Sequence, residues 1–294
     1  MFREGFPLKI TDRISERMTV SFEVFPPKED RPVEPLFATL DKLMGLNPDF
    51  ISCTYGAGGT NKGRQSEILE YISSHGTKAL SNFTCIRTMK QDVDNTVGEY
   101  GAFGVDSFLA LRGDYPKGEH CRSTNGDFNY GSELIGYMKN SFPELEIAGG
   151  AYPEKHLDSP DLESEAKYIL IKQEAGMDFA VTQLCHDLDN YFRYYEMIRK
   201  AGFEKPVVFG LMPVLSKDAT INMALVNGCS IPRQLAEIIG KYGNEPDDFK
   251  KAGKEYTVKQ IERLVKEGVQ GIHVFALNKY DDVAEIVKAA GIAR

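Results

Sequence analysis

Short apolar segments alternate with amphipathic segments along the chain. The apolar segments are four to eight residues long and rich in β-branched and aromatic residues, which is typical of strands buried on both faces. They predict eight strands, at residues 18–25, 50–54, 78–85, 108–111, 146–151, 179–183, 207–211 and 271–277. Eight strands separated by helices predict an α/β fold, a (β/α)8 TIM barrel, as a single domain over residues 1–294. An open Rossmann sheet is disfavoured because no G-x-G-x-x-G motif is present.

The segments between the strands have apolar residues at helical spacing. They predict helices at 35–46, 64–74, 91–103, 130–140, 162–176, 188–201 and 281–290. The interval 216–268 has room for three or four helices between strands 7 and 8, which is more than one crossover requires. Residues 1–17 are charged and mixed, and we expect an N-terminal cap segment with little function.

Composition narrows the class of protein. The net charge of -8, with no run of Lys and Arg, argues against a nucleic-acid or anionic-membrane partner. No apolar stretch approaches the length of a membrane span, and no apolar run follows the charged N-terminus as in a secretory signal. The five cysteines form no C-x-x-C pair, which predicts reduced thiols in a cytoplasmic protein. The five histidines lack the close spacing of metal ligands, so no metal site is expected.

Polar residues recur where the predicted strands end. In a parallel barrel these ends meet at one rim, where active sites are built. The rim is predicted to gather two carboxylates, two cations, a hydroxyl, a tyrosine and an amide: Glu23, Thr54, Arg112, Asp114, Tyr152, Gln183 and Lys279. Such a set suits a polar organic substrate and a phosphate-bearing cofactor. Taken alone, the Arg112–Asp114 segment could equally be a surface turn whose charges pair. Likewise, Glu23 would face solvent on an edge strand and be buried on a central one.

Two predicted loops also bear on function. Residues 55–60 are rich in glycine and precede a helix, so their backbone N–H groups could hold a phosphate. The alternative is a flexible surface loop, because the spacing matches neither the dinucleotide fingerprint nor the P-loop. The polar segment between Asp114 and residue 129 is too long for an ordinary connection, and we expect a functional loop.

Six motifs in order resemble the methylenetetrahydrofolate reductase family, in its short bacterial form. They are SFEVFPPK (21–28), TYGAGG (54–59), ALRGD (110–114), AYPEKH (151–156), K-x-x-AG followed by TQ (172–183) and H-x-F-x-LN (273–278). The resemblance extends from about Val20 to the C-terminus. It implies a (β/α)8 flavoprotein that reduces 5,10-methylenetetrahydrofolate to 5-methyltetrahydrofolate, with hydride from reduced FAD.

The resemblance also implies roles for individual residues. Glu23 would be the general acid that protonates the nitrogen leaving group, and its apolar neighbours in the strand would favour the protonated carboxyl. Asp114 would lie near flavin and pterin, and Gln183 would contact the substrates on the flavin. The implied FAD-binding residues are Thr54, Arg112, Gly113, Asp114, Tyr130, Ser132, Ala151, Tyr152, His156 and Lys172. Without the family, Lys172 would be read as a solvated lysine on a helix.

Several positions depart from the family pattern. Residues 184–186 read Leu-Cys-His where the family usually has aromatic residues before the Asp, so the aromatic rings on which a nicotinamide or folate would stack are missing there. Asn82 replaces a common His, and Glu165 replaces an Asp that often contacts FAD. Lys279 occupies the position of an Arg that holds the glutamate tail of the folate, and it keeps the charge without the bidentate fork.

The source of electrons is left open between NAD(P)H and an electron-donor protein, and the assembly between a homo-oligomer and a hetero-complex. Two other functions remain alternatives at this stage. One is a pterin-binding barrel that transfers a methyl group without a flavin. The other is a degenerate barrel that serves as a subunit of a larger redox complex.

Overall fold

A computed structural model describes residues 8–28, 30–55, 62–113 and 125–294. Eight parallel strands form a closed barrel in which each strand pairs with the next and β8 pairs with β1. The strands are β1 Thr19–Val24, β2 Phe50–Cys53, β3 Ala79–Thr84, β4 Ser107–Leu111, β5 Glu146–Ala151, β6 Phe179–Thr182, β7 Val207–Leu211 and β8 Gly271–Phe275. The predicted (β/α)8 TIM barrel is therefore confirmed.

The helices surround the barrel in the predicted alternation. They are α1 Ile10–Glu16, α2 Glu34–Met44, α3 Lys62–Ser74, α4 Lys90–Ala102, α5 Gly131–Ser141, α6 Leu162–Glu174, α7 Leu188–Lys200, α8 Lys217–Asn227, α9 Arg233–Tyr242, α10 Pro246–Lys266 and α11 Tyr280–Ala289. Helices α8, α9 and α10 fill the interval between β7 and β8, as predicted. None of the helices in the described ranges is long and apolar enough to cross a membrane.

Strand β8 is two residues shorter than predicted. The sequence predicted a strand to Leu277, but Leu277 and Asn278 have left-handed φ values of 51° and 55° and turn the chain into α11. The Asn278 side chain then fixes the segment after β1. Its amide nitrogen donates to Phe25 O at 2.9 Å, and its amide oxygen accepts from Phe25 N at 3.2 Å.

Two apolar layers enclose the strands. The larger lies between the barrel and the surrounding helices. The smaller fills the amino-terminal half of the barrel interior with large side chains from alternate strand positions, including Phe50, Leu80, Leu109, Phe179 and Val208. Because these residues pack the interior solidly, the open end of the barrel lies at the carboxyl ends of the strands.

Helix α1 closes the amino-terminal end of the barrel. Ile10 and Ile14 are buried in the interior cluster. The Glu146 carboxylate, at the start of β5, accepts hydrogen bonds from the backbone N–H groups of Ile10 (2.9 Å) and Thr11 (2.8 Å). A carboxylate at a helix N-terminus satisfies free donors and complements the helix dipole. The first segment thus completes the barrel core, a larger role than its charged sequence predicted.

Candidate active site

The structure brings most of the predicted site residues to one end of the barrel. Glu23 and Ala151 lie at the ends of β1 and β5, and Thr54, Arg112 and Gln183 directly follow β2, β4 and β6. Gly113 and Tyr152 come next along the chain in the same region. Asp114 lies outside the described residues, as do residues 56–60 of the glycine-rich loop and residues 114–124 of the predicted functional loop.

Glu23 points into the barrel and remains partly open, with its side chain 18% exposed. In the strand register it stands beside Ser52 of β2 and Phe275 of β8. Its Oε2 atom accepts a hydrogen bond from Asn82 Nδ2 at 2.9 Å and one from Ser52 Oγ at 3.3 Å. Asn82, the departure from the family pattern, is thus a direct partner of the proposed acid.

A second feature of Asn82 is its free acceptor. Within the described part of the chain, Asn82 Oδ1 is buried and has no hydrogen-bond partner. Burying an acceptor without a partner costs free energy.

Beneath Glu23 lies a buried histidine that the sequence analysis did not assign to the site. His273 Nε2 lies 3.1 Å from Ser52 Oγ and 3.9 Å from Glu23 Oε2, and His273 Nδ1 lies 2.8 Å from Ser21 Oγ. The available signal was alternation, since Ser21 and Glu23 are two apart in one strand and so share a face. Barrel interiors are usually filled by branched apolar residues, which makes these polar positions informative.

Across the mouth of the barrel, Lys172 of α6 supplies a cation. Its Nζ donates to Gly150 O at 2.6 Å and lies 5.3 Å from the centre of the Tyr152 ring. Burial lowers the pKa of Lys172 to about 8, although the nearby charge of Glu165 acts in the opposite direction. A desolvated ammonium of this kind is suited to an anionic ligand, whose charge would restore the protonated form.

Arg112, directly after β4, is a second cation of this region. The Arg112 guanidinium bonds the exposed Asp158 carboxylate at 2.7 Å and holds the pKa of that carboxyl below its usual range. Cys85 lies within reach of both cations. Burial raises the pKa of the Cys85 thiol to about 12, the charge of Glu133 adds to this, and the charges of Arg112 and Lys172 oppose it.

The N-terminus of α5 lies against the backbone of Arg112. A Cβ on Gly131 would lie 3.3 Å from Ala110 O and 3.7 Å from Arg112 N, so the helix begins directly against the end of β4. Tyr130 precedes it and is 63% exposed, and Ser132 lies half-buried in its first turn. Free N–H groups at a helix start bind phosphate. Arg112, Lys172 and the start of α5 are the candidate groups for holding a phosphate, and they are together called the phosphate cradle below.

Gly113 and Thr84 border the phosphate cradle. Gly113 has a left-handed φ of 85°, and a Cβ there would lie 2.9 Å from Thr84 Cβ, so no larger residue fits. Thr84 Oγ1 is buried and, among the described residues, has no hydrogen-bond partner. A cofactor that carries a diphosphate and several hydrogen-bond donors fits this combination of cations, helix start and free acceptor.

Glu165 holds the loop that follows Tyr152. It is only 3% exposed and accepts hydrogen bonds from His156 N (3.0 Å) and Ser159 Oγ. His156 in turn packs edge-on against Tyr152 at 5.0 Å. At this second departure from the family pattern, the carboxylate fixes the loop that carries His156.

Gln183 is held by its neighbours at the end of β6. Its Nε2 donates to Asn227 Oδ1 at 3.0 Å, and its Oε1 accepts from Leu184 N at 2.8 Å. Leu184, Cys185 and His186 are buried. Burial lowers the pKa of His186 to about 4. This segment therefore offers no exposed aromatic surface for stacking.

Lys279 and Thr54 lie on the β1, β2 and β8 side of the mouth. Lys279 is exposed at the start of α11 and lines a groove with Pro35 and Lys42 of α2. Thr54 is half-buried, and its N–H donates to Val24 O at 3.0 Å.

Within the ranges that the structure describes, no group of three or more His, Cys, Asp or Glu side chains is arranged to hold a metal ion.

A closed barrel with an open carboxylate on one side of its mouth and a phosphate cradle on the other defines a TIM-barrel enzyme. The family model described as methylenetetrahydrofolate reductase matches residues 9–291. The chain belongs to the methylenetetrahydrofolate reductase family of oxidoreductases, as its sequence motifs indicated.

Individual relatives agree with this assignment. The 5,10-methylenetetrahydrofolate reductase of Pectobacterium carotovorum is 27% identical over 277 residues, which cover 94% of this chain and 91% of that protein. Methylenetetrahydrofolate reductase 1 of Schizosaccharomyces pombe is 27% identical over 97% of this chain, but the chain spans only about half, 49%, of that protein's length.

The fold also resembles a solved structure. An uncharacterised protein from Clostridium thermocellum, described as binding two copies of 5-methyl-5,6,7,8-tetrahydrofolic acid, superposes with a TM-score of 0.66 at 17% identity. The superposition covers 97% of this chain and 99% of that one. At this identity the likeness supports the barrel fold alone.

Proposed function

We propose that the protein reduces 5,10-methylenetetrahydrofolate to 5-methyltetrahydrofolate, with FAD as its cofactor and Glu23 as the general acid. The observation that carries the proposal is the environment of Glu23, a partly open carboxyl at the barrel mouth that is oriented by Asn82 and Ser52. Membership of the family supports the reaction.

The phosphate cradle fits FAD. Lys172, Arg112 and the first turn of α5 would hold the diphosphate, and Gly113 permits close approach of the ligand. We assign the remaining contacts to Thr54, Asp114, Tyr130, Ser132, Ala151, Tyr152 and His156. When bound, FAD supplies the hydride. Thr84 Oγ1, which is buried and has no hydrogen-bond partner among the described residues, is a further polar atom near this site.

In the proposed reaction Glu23 protonates the nitrogen leaving group of the folate. Opening the five-membered ring of the folate breaks a C–N bond, and the Glu23 proton passes to that nitrogen, leaving an iminium that accepts hydride. The carboxylate formed on Glu23 keeps hydrogen bonds from Asn82 Nδ2 and Ser52 Oγ. These two donors stabilise the negative charge as it develops.

Three further residues complete the proposed folate site. The Asp114 carboxylate would stabilise the cationic iminium, and the Lys279 ammonium would bind the glutamate tail. Gln183 would contact the substrate once its amide exchanges its hydrogen bonds to Asn227 and Leu184.

The physiological electron donor is proposed to be NAD(P)H or an electron-donor protein, with a homo-oligomer or a hetero-complex as the assembly. We propose a cytoplasmic location. Cys53, Cys85, Cys185 and Cys229 are free thiols in the described residues, which suits a reducing compartment.

The direct test is an anaerobic assay of the purified protein. We expect FAD to bind, dithionite to bleach the bound flavin, and methylenetetrahydrofolate to restore its absorbance with formation of 5-methyltetrahydrofolate. A protein that takes up no FAD would contradict the proposal and favour a flavin-independent methyltransferase. Bound flavin that no folate reoxidises would favour the redox-subunit alternative.

A further inference from the structure

A chain of buried polar groups runs through the barrel interior and ends at Glu23. Ser21 Oγ, His273 and Ser52 Oγ are connected by contacts of 2.8 Å and 3.1 Å, and Ser52 Oγ donates to Glu23 Oε2 at 3.3 Å. Ser21, Ser52 and His273 are completely buried. Three different strands, β1, β2 and β8, contribute to this chain, so it is assembled only when the barrel closes.

The His273 ring is fixed in place by its apolar neighbours. Phe50 stacks on it with ring centres 5.4 Å apart and planes within 16°, and Phe275 packs edge-on at 5.6 Å. A ring so confined cannot turn to find other partners, and burying polar groups is costly unless they are bonded. Its two nitrogens are therefore committed to Ser21 and Ser52.

The directions of these hydrogen bonds depend on one choice, the tautomer of His273. A neutral imidazole has one donor nitrogen and one acceptor nitrogen. If Ser21 donates to Nδ1, then Nε2 carries the hydrogen and donates to Ser52 Oγ, and the Ser52 hydroxyl donates to Glu23 Oε2. If Ser52 donated to Nε2 instead, its hydroxyl hydrogen would point at the imidazole, and Glu23 Oε2 would receive no hydrogen bond from Ser52.

The first arrangement places the acidic proton on the correct oxygen. Glu23 Oε2 then accepts from both Ser52 Oγ and Asn82 Nδ2, so the proton of the neutral carboxyl resides on Oε1. In the reaction the Oε1–H bond breaks and the N–H bond of the folate leaving group forms. No other proton in the chain has to move.

We infer that His273, acting through Ser52, is a positioning residue that directs the acidic proton of Glu23 towards the substrate. The inference rests on the proposed function and deepens it. Ser52 is the connecting hydroxyl, and in the productive tautomer of His273, Nδ1 accepts from Ser21 Oγ, whose other possible acceptor, Ile272 O, is farther away at 3.4 Å. The ring itself does not touch the substrate, because it is completely buried below Glu23.

The test compares paired variants in a single turnover of the dithionite-reduced holoenzyme with methylenetetrahydrofolate. Ser52→Ala and His273→Leu each remove the oriented donor, and we expect the limiting rate of flavin reoxidation to fall about 10- to 100-fold, as for a misplaced catalytic group. Ser52→Thr keeps a hydroxyl and His273→Gln keeps a donor towards Ser52, so both should restore much of that rate. The folate concentration at half-maximal rate should change little.

Ser81→Ala is the matched control. Ser81 is also a completely buried strand serine, but it lies on the opposite face of β3 from Asn82, and among the described residues its hydroxyl donates only to Asn82 O, at 3.5 Å. We expect it to retain the wild-type rate. FAD content and melting temperature are measured for every variant to show that it folds. If His273→Leu does not bind FAD, the comparison of Ser52→Ala with Ser52→Thr tests the positioning role.

The outcomes separate the two proposals. Failure of the wild-type protein to reoxidise with methylenetetrahydrofolate would contradict the proposed function. Reoxidation of Ser52→Ala and His273→Leu at the wild-type rate would overturn the positioning role alone. A loss in Ser52→Thr as large as that in Ser52→Ala would also overturn it, because the loss would then reflect packing.

Discussion

At the scale of single residues, Lys172 is the clearest anion-binding group. Its ammonium is desolvated and contacts only Gly150 O and the Tyr152 ring at short range among the described residues. We expect Lys172→Met to weaken FAD binding about 10- to 100-fold, the usual effect of losing a charge-assisted hydrogen bond. Titration of the FAD-free protein with FAD measures this. Lys167→Met, an exposed lysine on α6, is the control and should bind FAD as the wild type does.

The same lysine gives a pH dependence. Since burial lowers the pKa of Lys172 to about 8, the ammonium of the FAD-free protein loses its proton as pH rises through that value. A bound diphosphate would favour the charged form, so FAD affinity should decline above about pH 8. Affinity that stays constant up to pH 10 in the wild type would contradict the contact, and Lys172→Met should show a weaker decline.

The lowered pKa of Lys172 also makes the free energy of unfolding depend on pH. Its contribution to stability rises with pH, whereas FAD affinity falls. Between about pH 8 and the ordinary lysine value of about 10.4, the unfolded chain binds more protons at this position than the folded protein. The contribution of Lys172 to the free energy of unfolding of the FAD-free protein therefore rises with pH over this window. Urea denaturation of wild type and Lys172→Met at several pH values isolates this contribution as the difference between the two.

At the scale of elements, α1 is a structural part of the barrel. We expect Ile14→Ala to lower the free energy of unfolding by about 2–5 kcal/mol, because it opens a cavity in the closed end of the interior. Ser15→Ala, on the exposed side of the same helix, should cost less than about 0.5 kcal/mol. Urea denaturation of both variants is the measurement, and equal free energies of unfolding would contradict the role of α1 in closing the amino-terminal end of the barrel.

The sequence predicted the elements better than it predicted their contacts. Uninterrupted apolar runs identified the strands, and polar residues after them, such as Arg112 and Gln183, pointed to the rim. The role of α1 was missed because Ile10 and Ile14 are only two apolar residues among charges, and their burial depends on a barrel assembled elsewhere in the chain. Glu146 gave no local sign of capping a helix 135 residues away.

The partners of Glu23 were missed for a similar reason. Ser52 and His273 lie in strands that read as apolar, and their contact joins residues 221 positions apart. Only the register of β1 with β2 and β8 places them beside Glu23. The role of Asp114 stays a prediction, because that residue lies outside the described ranges.

At the scale of the whole molecule, Asp49 connects the two ends of the chain. Its carboxylate is buried and bonds Arg17 at 2.6 Å, Arg294 at 2.6 Å and the N–H of Val20 at 2.8 Å. We expect Asp49→Asn to lower the free energy of unfolding by about 2–4 kcal/mol, because it leaves the two guanidinium groups without their counter-charge. Urea denaturation measures this loss.

A matched control for Asp49 is available on α2. Asp41 is exposed and accepts a hydrogen bond from Tyr71 Oη at 2.8 Å. Asp41→Asn should cost less than about 1 kcal/mol. Comparable losses in the two variants would show that Asp49 does not tie the chain ends together.

The barrel also explains how distant parts of the sequence serve one reaction. Closure of the sheet brings Glu23 from β1 to the same end of the barrel as the phosphate cradle, which is formed by the residue after β4, the start of α5 and a lysine of α6. We propose that the carboxyl of Glu23 protonates the folate while the cradle holds the cofactor that reduces it. The two tasks should therefore be separable by substitution.

The most direct measurement is the anaerobic reoxidation of reduced, FAD-loaded Glu23→Gln by methylenetetrahydrofolate. Glutamine keeps the size of the side chain and cannot act as the acid, so we predict FAD content and bleaching by dithionite like those of the wild type. Folate-dependent return of the flavin absorbance should be at least about 10²-fold slower. Return at the wild-type rate would contradict the account.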